Sequence, residues 1–158
     1  MLKKTPKKIS VDRALEKAMR YCMYQERCVL DIEQRFEAWG LPKQKWDELV
    51  DKLLADDFIN EARYIESFVR GKFFGKKWGR HKIILGLKKK KISGSAIERI
   101  MNEEISEEDY NQMIRKLIEF KSEQIEKVEG LQKRDKIYRF LIGKGFESDL
   151  IVQHLGHY

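Results

Sequence analysis

One arrangement of residues occurs three times along the chain and sets the strongest limit on its fold. In each copy an apolar residue is followed four positions later by a second, and a third comes five positions after that, directly behind a Gly or Lys. The copies are Ile32, Phe36, Gly40 and Leu41; Ile83, Leu87, Lys91 and Ile92; and Ile137, Leu141, Gly145 and Phe146. Apolar residues four apart share one face of a helix, and Gly favours a helix end. A repeat every 50 residues or so, about the length of other helical repeats, indicates tandem helical modules.

The repeat therefore predicts an all-α fold of three tandem three-helix modules in an elongated, curved arrangement. Short modules bury little apolar surface alone, so each gains stability by stacking on its neighbours. The predicted division is a basic N-terminal tail at 1–10, module 1 at 11–59, a basic module 2 at 60–105 and module 3 at 106–158. The predicted helices are 11–25, 29–39, 42–55, 60–74, 80–90, 95–104, 107–127, 132–143 and 147–155.

Polar residues and glycines mark several predicted helix ends. The predicted N-caps are Ser10 and Asn60, together with two capping boxes, Ser95 with Glu98 and Ser106 with Asp109. Gly40 and Gly145 suit the left-handed position behind a helix, because they have no Cβ. Lys91 stands at the same place in module 2, where it either accepts a small steric cost or ends its helix differently.

Positive charge is concentrated in the segment Arg70–Lys91. It holds ten Lys or Arg and no Asp or Glu, in a chain whose net charge is +7. Such a segment predicts a polyanion or an acidic protein surface as partner, the alternative being a solvated face that binds nothing. The predicted binding residues are Arg70, Lys72, Lys76, Lys77, Arg80, Lys82, Lys88 and Lys89.

The stretch in front of the predicted helix 80–90 is interpreted as a loop. Its hinges are Gly71, Gly75 and Gly79, and its cations are Lys72, Lys76 and Lys77. Phe73, Phe74 and Trp78 alternate with these cations and, if exposed, would stack on unpaired bases or pack against a protein. For Phe73 and Trp78 we favour the other interpretation, in which they hold the loop on the core.

Catalysis, metal binding and membrane insertion find little support in the sequence. It has no P-loop and no nucleophile-elbow motif, so we expect neither an enzyme nor a cofactor. His154 and His157 are three residues apart, but no Asp, Glu or Cys cluster completes a metal site. Cys22 and Cys28 form no CxxC pair and are interpreted as small apolar residues. No signal peptide is recognisable and no apolar run approaches a membrane span, so we expect a cytoplasmic protein.

The stretch from Asp56 to Ile92, about a quarter of the chain, resembles the signature of the RecX family, whose members are small bacterial modulators of the RecA recombinase. The residues that carry the resemblance are Asp56, Asp57, Phe58, Ala62, Tyr64, Ile65, Phe68, Val69, Arg70, Gly75, Gly79, Arg80, Ile83, Leu87, Lys90 and Ile92. The chain departs from the pattern at Gly86, where the family usually has an acidic residue, and at Lys91, where it usually has Gly. Both departures raise the local positive charge.

The resemblance implies a regulator of recombination and DNA repair. It implies a protein, expected to be a monomer, that binds the RecA filament on single-stranded DNA, lowers ATPase and strand-exchange activity, and promotes net disassembly. The eight cations above are then the residues expected to face the filament or its DNA. Acidic residues of the outer modules are expected to meet basic recombinase surfaces; they are Glu103, Glu104, Glu107 and Glu108. Two alternatives stay open: a nucleic-acid-binding protein that acts without a recombinase, and a helical interaction scaffold.

Overall fold

The structure, a computed structural model, describes residues 8–156. The regular secondary structure in that range is helical. The α-helices in that range are α1 Val11–Tyr24, α2 Val29–Ala38, α3 Trp46–Ala55, α4 Glu61–Arg70, α5 Arg80–Lys89, α6 Ser95–Glu104, α7 Glu107–Gln124, α8 Gly130–Lys144 and α9 Ser148–Leu155. A short 3-10 helix, Lys43–Lys45, precedes α3. Since this range contains no strand, the predicted all-α fold is confirmed. Lys3, Lys4, Lys7 and His157 lie outside the described residues.

The threefold sequence pattern corresponds to one type of helix end. The backbone N–H of Leu41 donates to the carbonyl oxygen of Phe36 at 2.9 Å, as the Schellman motif requires. The same bond joins Ile92 to Leu87 at 3.0 Å, and Phe146 to Leu141 at 3.1 Å. The second and third apolar residues of each copy are therefore the ones whose backbone groups form the hydrogen bond at the ends of α2, α5 and α8.

The left-handed residue that this motif needs is present at each of the three helix ends. Gly40 and Gly145 have φ values of 75° and 96°, which confirms their predicted positions. Lys91 takes φ 59° and so accepts the steric cost that a Cβ brings there. Module 2 thus ends its helix as the other modules do, but with the less suitable residue.

Most of the predicted N-caps are confirmed. The side-chain oxygens of Ser10, Asn60 and Ser106 each accept the backbone N–H three residues further on, at 3.0–3.2 Å. The capping box predicted at Ser95 is wrong, because Ser95 is the first residue of α6 and Gly94, with φ 114°, is its N-cap. The N-cap position of α6 has a positive φ, which favours Gly, and the polar Ser95 therefore lies one residue inside the helix.

The described chain divides into two compact units, Met1–Tyr64 and Ile65–Tyr158, with the division inside α4. In the first unit the core includes Ala14, Ala18, Ile32, Phe36, Leu49 and Leu53. In the second unit the most completely buried side chains include Phe73, Ile83, Leu87, Tyr110, Ile114, Ile137, Leu141, Phe146 and Ile151. The second unit contains α5 to α9, and its residues form the site described below.

The interpretation of Gly71 and Gly75 as loop hinges is wrong. Residues Gly71–Gly75 form a π-helical turn that continues directly from α4, with the N–H of Lys76 bonded to the carbonyl oxygen of Gly71 at 3.2 Å. The turn buries Phe73 completely, and the ring of Phe73 stacks on Tyr110 with ring centres 5.7 Å apart. Packing against a distant tyrosine thus keeps this glycine-rich segment helical, and Lys72 lies on the π-turn rather than on a loop.

Candidate functional site

The start of α5 meets the end of α8 within the second unit. The N–H of Gly79 donates to the carbonyl oxygen of Lys144 at 2.7 Å, and the N–H of His81 donates to that of Gly145 at 3.0 Å. The free N–H groups of one helix start thereby satisfy free carbonyls at another helix end, and their partial charges attract. A Cβ on Gly79 would lie 2.4 Å from the carbonyl carbon of Gly145. We call these four residues the α5–α8 junction.

Arg80 lies at this junction and is engaged by residues of module 3. Its backbone N–H donates to the hydroxyl of Tyr110 at 3.0 Å, and that hydroxyl donates to Glu147 at 2.9 Å. Its guanidinium donates to Glu107 at 2.8 Å, lies 3.5 Å from a second oxygen of Glu147, and stacks 3.8 Å from the ring centre of Tyr110. Burial raises the pKa of Tyr110 above its ordinary value.

Four lysines gather beside the junction, and we call them the lysine cluster: Lys76, Lys77, Lys82 and Lys144. The ammonium of Lys144 donates to the carbonyl oxygen of Lys76 at 2.7 Å. Burial lowers the pKa of Lys144, and the positive charges of Lys82, Lys77 and Lys76 lower it further. Since none of the four forms an ion pair with a carboxylate among residues 8–156, their charge is uncompensated.

Aromatic side chains border the lysine cluster. The ammonium groups of Lys72 and Lys82 each lie 4.8 Å from the ring centre of Trp78, which is half-buried. Phe74, on the π-turn, is 50 % exposed. The prediction that Phe73 packs on the core is confirmed, and Trp78 lies at its edge under two lysines. Proteins that bind single-stranded nucleic acids combine aromatic rings with cationic side chains, and Trp78 under Lys72 and Lys82 is such a combination.

Gly86 accounts for part of this arrangement. A Cβ there would lie 2.7 Å from the ring of Phe68 and 3.5 Å from that of Trp78. An acidic side chain, which the family pattern has at this position, would displace Phe68. The absent side chain leaves room for both rings to pack against α5.

The eight predicted binding residues fall into distinct groups. Arg70 lies 3.6 Å from Glu104, and Arg80 is paired with Glu107 and Glu147, so both arginines have acidic partners. Lys72, Lys76, Lys77 and Lys82 lie around Trp78 and the junction. Lys88 and Lys89 are exposed in the last turn of α5, and Lys88 lies about 9 Å from Lys82 along the helix axis.

Lys144 is the member of the cluster that sequence reasoning missed. It belongs to module 3, and nothing in its neighbourhood resembles the basic segment. The only sequence signal is indirect, because Lys144 directly precedes the left-handed Gly145 of the repeat.

The expectations about a metal site at His154 and about a membrane span concern other parts of the chain. His154 has Nε2 2.8 Å from the side-chain oxygen of Asn111, and burial, with the charge of Arg115, lowers its pKa. Among the described residues, no group of three or more His, Cys, Asp or Glu is placed to hold a metal ion. Of the helices between residues 8 and 156, none has the length and apolar character needed to cross a lipid bilayer.

Fold and site together define an all-α protein of tandem three-helix domains with an uncompensated basic surface. Two family models match the chain: "RecX, second three-helix domain" at residues 60–101 and "RecX, third three-helix domain" at residues 107–155. Together they cover more than half of its length. The chain belongs to the RecX family, as the resemblance in its sequence implied.

Relatives and solved structures agree with this assignment. The chain is 30% identical over 141 residues to the regulatory protein RecX of Bacillus mycoides, and 27% identical over 135 residues to that of Streptococcus uberis. These alignments cover 89% and 85% of the chain but 52% and 51% of the relatives, so the chain spans about half their length. It superposes on RecX from Lactobacillus salivarius with a TM-score of 0.81 at 25% identity, covering 92% of this chain and 94% of that one. A second RecX structure gives 0.83 at 21% identity, covering 94% and 72%, and supports the fold.

Proposed function

We propose that this chain regulates a RecA recombinase by binding the recombinase filament on single-stranded DNA. Binding lowers the ATPase and strand-exchange activities of the filament in recombination and DNA repair. The observation that carries the proposal is the lysine cluster, where four cations gather without a carboxylate partner among the described residues. Membership of a family whose relatives are named regulatory proteins supports it.

The chemistry of the cluster suits phosphate groups. Each lysine that neutralises a phosphate releases a condensed counterion, so affinity falls as salt rises and depends little on base sequence. The proposed contact surface comprises Lys72, Lys76, Lys77, Lys82, Lys88 and Lys89, with Lys144 added from module 3. Arg70 and Arg80 have acidic partners, and we assign them to the support of the surface.

In the proposed role the protein is a regulator and not an enzyme. It acts as a monomer in the cytoplasm, where the recombinase assembles on exposed single strands. Three of the four acids expected to contact the recombinase are paired within the chain. Glu104 pairs with Arg70, Glu107 with Arg80, and Glu103 with Arg99 at 3.3 Å. We therefore assign the principal contact to the lysines and not to these carboxylates.

The ring of Trp78 under two lysines and the exposed ring of Phe74 favour a second candidate function, direct binding of single-stranded DNA without a recombinase. A base stacked on such a ring contributes about 1–3 kcal/mol. The two functions differ in what the protein does at a salt concentration where its binding to the free strand has vanished.

The test is ATP hydrolysis by the cognate recombinase on preassembled filaments, titrated with this protein at that salt concentration. Loss of hydrolysis below one protein per recombinase supports filament regulation. Unchanged hydrolysis, with tight binding to the strand at low salt, supports the second candidate function and contradicts the first.

A pair of triple variants connects the activity to the surface. Lys76→Glu, Lys77→Glu and Lys82→Glu together are expected to abolish inhibition. The matched control changes three exposed lysines of module 3 in the same way, Lys116, Lys127 and Lys136, and is expected to retain it. Equal inhibition by both variants would show that the lysine cluster is not the contact.

A further inference from the structure

We infer that Arg80 is a positioning residue, which holds the α5–α8 junction closed and so brings Lys144 of module 3 to the lysines of module 2. The family signature and the basic segment both suggest that Arg80 faces the anion, whereas its contacts in the structure are all internal. The inference rests on the proposed function in one respect, since its readout is the binding of a polyanion.

The charge of Arg80 is already compensated. Its side chain is 20% exposed, against 68% for Arg70, and it has Glu107 on one side and Glu147 on the other. Its planar face lies on the ring of Tyr110. A guanidinium that is hydrogen-bonded to one carboxylate, paired with a second and stacked on an aromatic ring is already neutralised within its own chain, so it is less available to a phosphate.

Those contacts join the starts of three helices. Tyr110 and Glu107 are in the first turn of α7 or directly after it, Glu147 is the N-cap of α9, and Arg80 is the first residue of α5. Three consecutive backbone N–H groups, from Gly79 to His81, donate to groups of module 3. Loosening Arg80 therefore moves the start of α5 relative to all of module 3.

The end of α8 carries the residue that this movement would displace. Lys144 is held with its ammonium on the carbonyl oxygen of Lys76, although three other lysines repel it. The side chain of Lys82 also reaches toward α8, with its ammonium 3.4 Å from the carbonyl oxygen of Gly143. Like charges do not assemble themselves, so the junction must supply the free energy that keeps the fourth cation in the cluster.

Glu147→Ala gives a test in which two explanations predict opposite signs. The change removes a negative charge and frees the guanidinium of Arg80, so electrostatics alone predicts tighter binding of a polyanion. Positioning predicts weaker binding, because the junction loses the partner shared by Arg80 and Tyr110. The probe is a fluorescein-labelled oligothymidylate, with the dissociation constant measured against salt concentration. The expected result is weaker binding and a log–log salt slope smaller by about 0.7, the value of one phosphate contact on a single strand.

The matched control is Glu119→Ala, which removes an equal charge from an exposed residue of α7. It is expected to leave binding unchanged or to tighten it slightly. Circular dichroism verifies that each variant is folded. If Glu147→Ala does not fold, Tyr110→Phe replaces it, since this variant removes the bridging hydroxyl without any change of charge and is likewise expected to weaken binding.

A double-variant cycle tests whether Arg80 acts through Lys144. If Arg80 positions Lys144, the double variant should lose little more binding free energy than Lys144→Gln alone. Either change removes the same cation from the cluster. Lys88→Gln is the matched control, since Lys88 is in α5 itself and its effect should add to that of Arg80→Gln. Arg80→Lys is expected to restore binding only in part, because one ammonium does not replace a planar fork between two carboxylates.

These experiments distinguish a failure of the positioning role of Arg80 from a failure of the proposed function. Tighter binding by Glu147→Ala, with additive effects of Arg80→Gln and Lys144→Gln, would overturn the inference and leave the proposed function standing. A wild-type protein that binds neither the strand nor the filament would overturn the proposed function, and the inference with it.

Discussion

Replacing Gly79 with Ala tests the α5–α8 junction at its closest point. Gly79 has φ −78° and ψ 171°, an extended conformation open to any residue, so the new methyl group brings no backbone strain of its own. It would lie 2.4 Å from both the carbonyl carbon and the carbonyl oxygen of Gly145, and 2.5 Å from the backbone nitrogen of Phe146. All three atoms belong to the backbone, so no flexible side chain can move aside.

The magnitude follows from how far the junction must open. An ordinary contact requires about 1 Å more, and a shift of that size takes the 2.7 Å and 3.0 Å bonds at Gly79 and His81 beyond hydrogen-bonding distance. Each lost bond costs about 0.5–1.5 kcal/mol, and overpacking costs about 1–3 kcal/mol. We expect Gly79→Ala to lower the free energy of unfolding by about 2–6 kcal/mol.

Gly143→Ala is the matched control, three residues upstream of Phe146 on α8. A Cβ there meets nothing within 4 Å, so removing a helical Gly should raise the free energy of unfolding by about 0.5–1 kcal/mol. Urea unfolding measures both variants, and amide hydrogen exchange at His81 should accelerate only in Gly79→Ala. A loss below about 0.5 kcal/mol in Gly79→Ala would refute the close backbone approach, since surface changes have effects of that size.

Two further predictions concern single residues. Lys91→Gly should raise the free energy of unfolding by about 0.5–1 kcal/mol in urea, because relief of the left-handed conformation exceeds the entropy that Gly loses; no gain would contradict the strain assigned to Lys91. For His154, the lowered pKa means that the unfolded chain binds more protons just below the ordinary value of 6.5. The free energy of unfolding should therefore fall as the pH drops below 6.5 and be unaffected by His154 above it, and urea titrations of His154→Gln should lack that contribution.

The helix ends were predictable from the sequence because their causes are local. A Schellman motif depends on residues within one turn, so the spacing from Phe36 to Gly40 and Leu41 identified the end of α2. The π-turn was not predictable, because its cause is the stacking of Phe73 on Tyr110 of another module. The predicted helix 60–74 extended into this stretch, but its glycines were interpreted as hinges of a loop and its π-helical form was not predicted.

The site was predictable in charge but not in pairing. Lys76, Lys77 and Lys82 are neighbours in sequence, and counting cations was enough to find them. The same count included Arg80, whose carboxylate partners come from module 3, and it omitted Lys144 for the same reason. Sequence reports how many charges a segment carries, whereas tertiary structure decides which of them are neutralised.

The π-turn sets a rule for length in a segment that tolerates substitution. Side chains added at Gly71 or Gly75 would meet nothing within 4 Å, so both positions are open to replacement. Deleting one residue is different, because the turn holds one residue more than an α-helical turn, as the bond from Lys76 to Gly71 across five residues shows. A deletion would convert the segment to ordinary α-helix and shift the fully buried Phe73 from its place against Tyr110. Between Val69 and Gly79 the number of residues is fixed, although several of their identities are free.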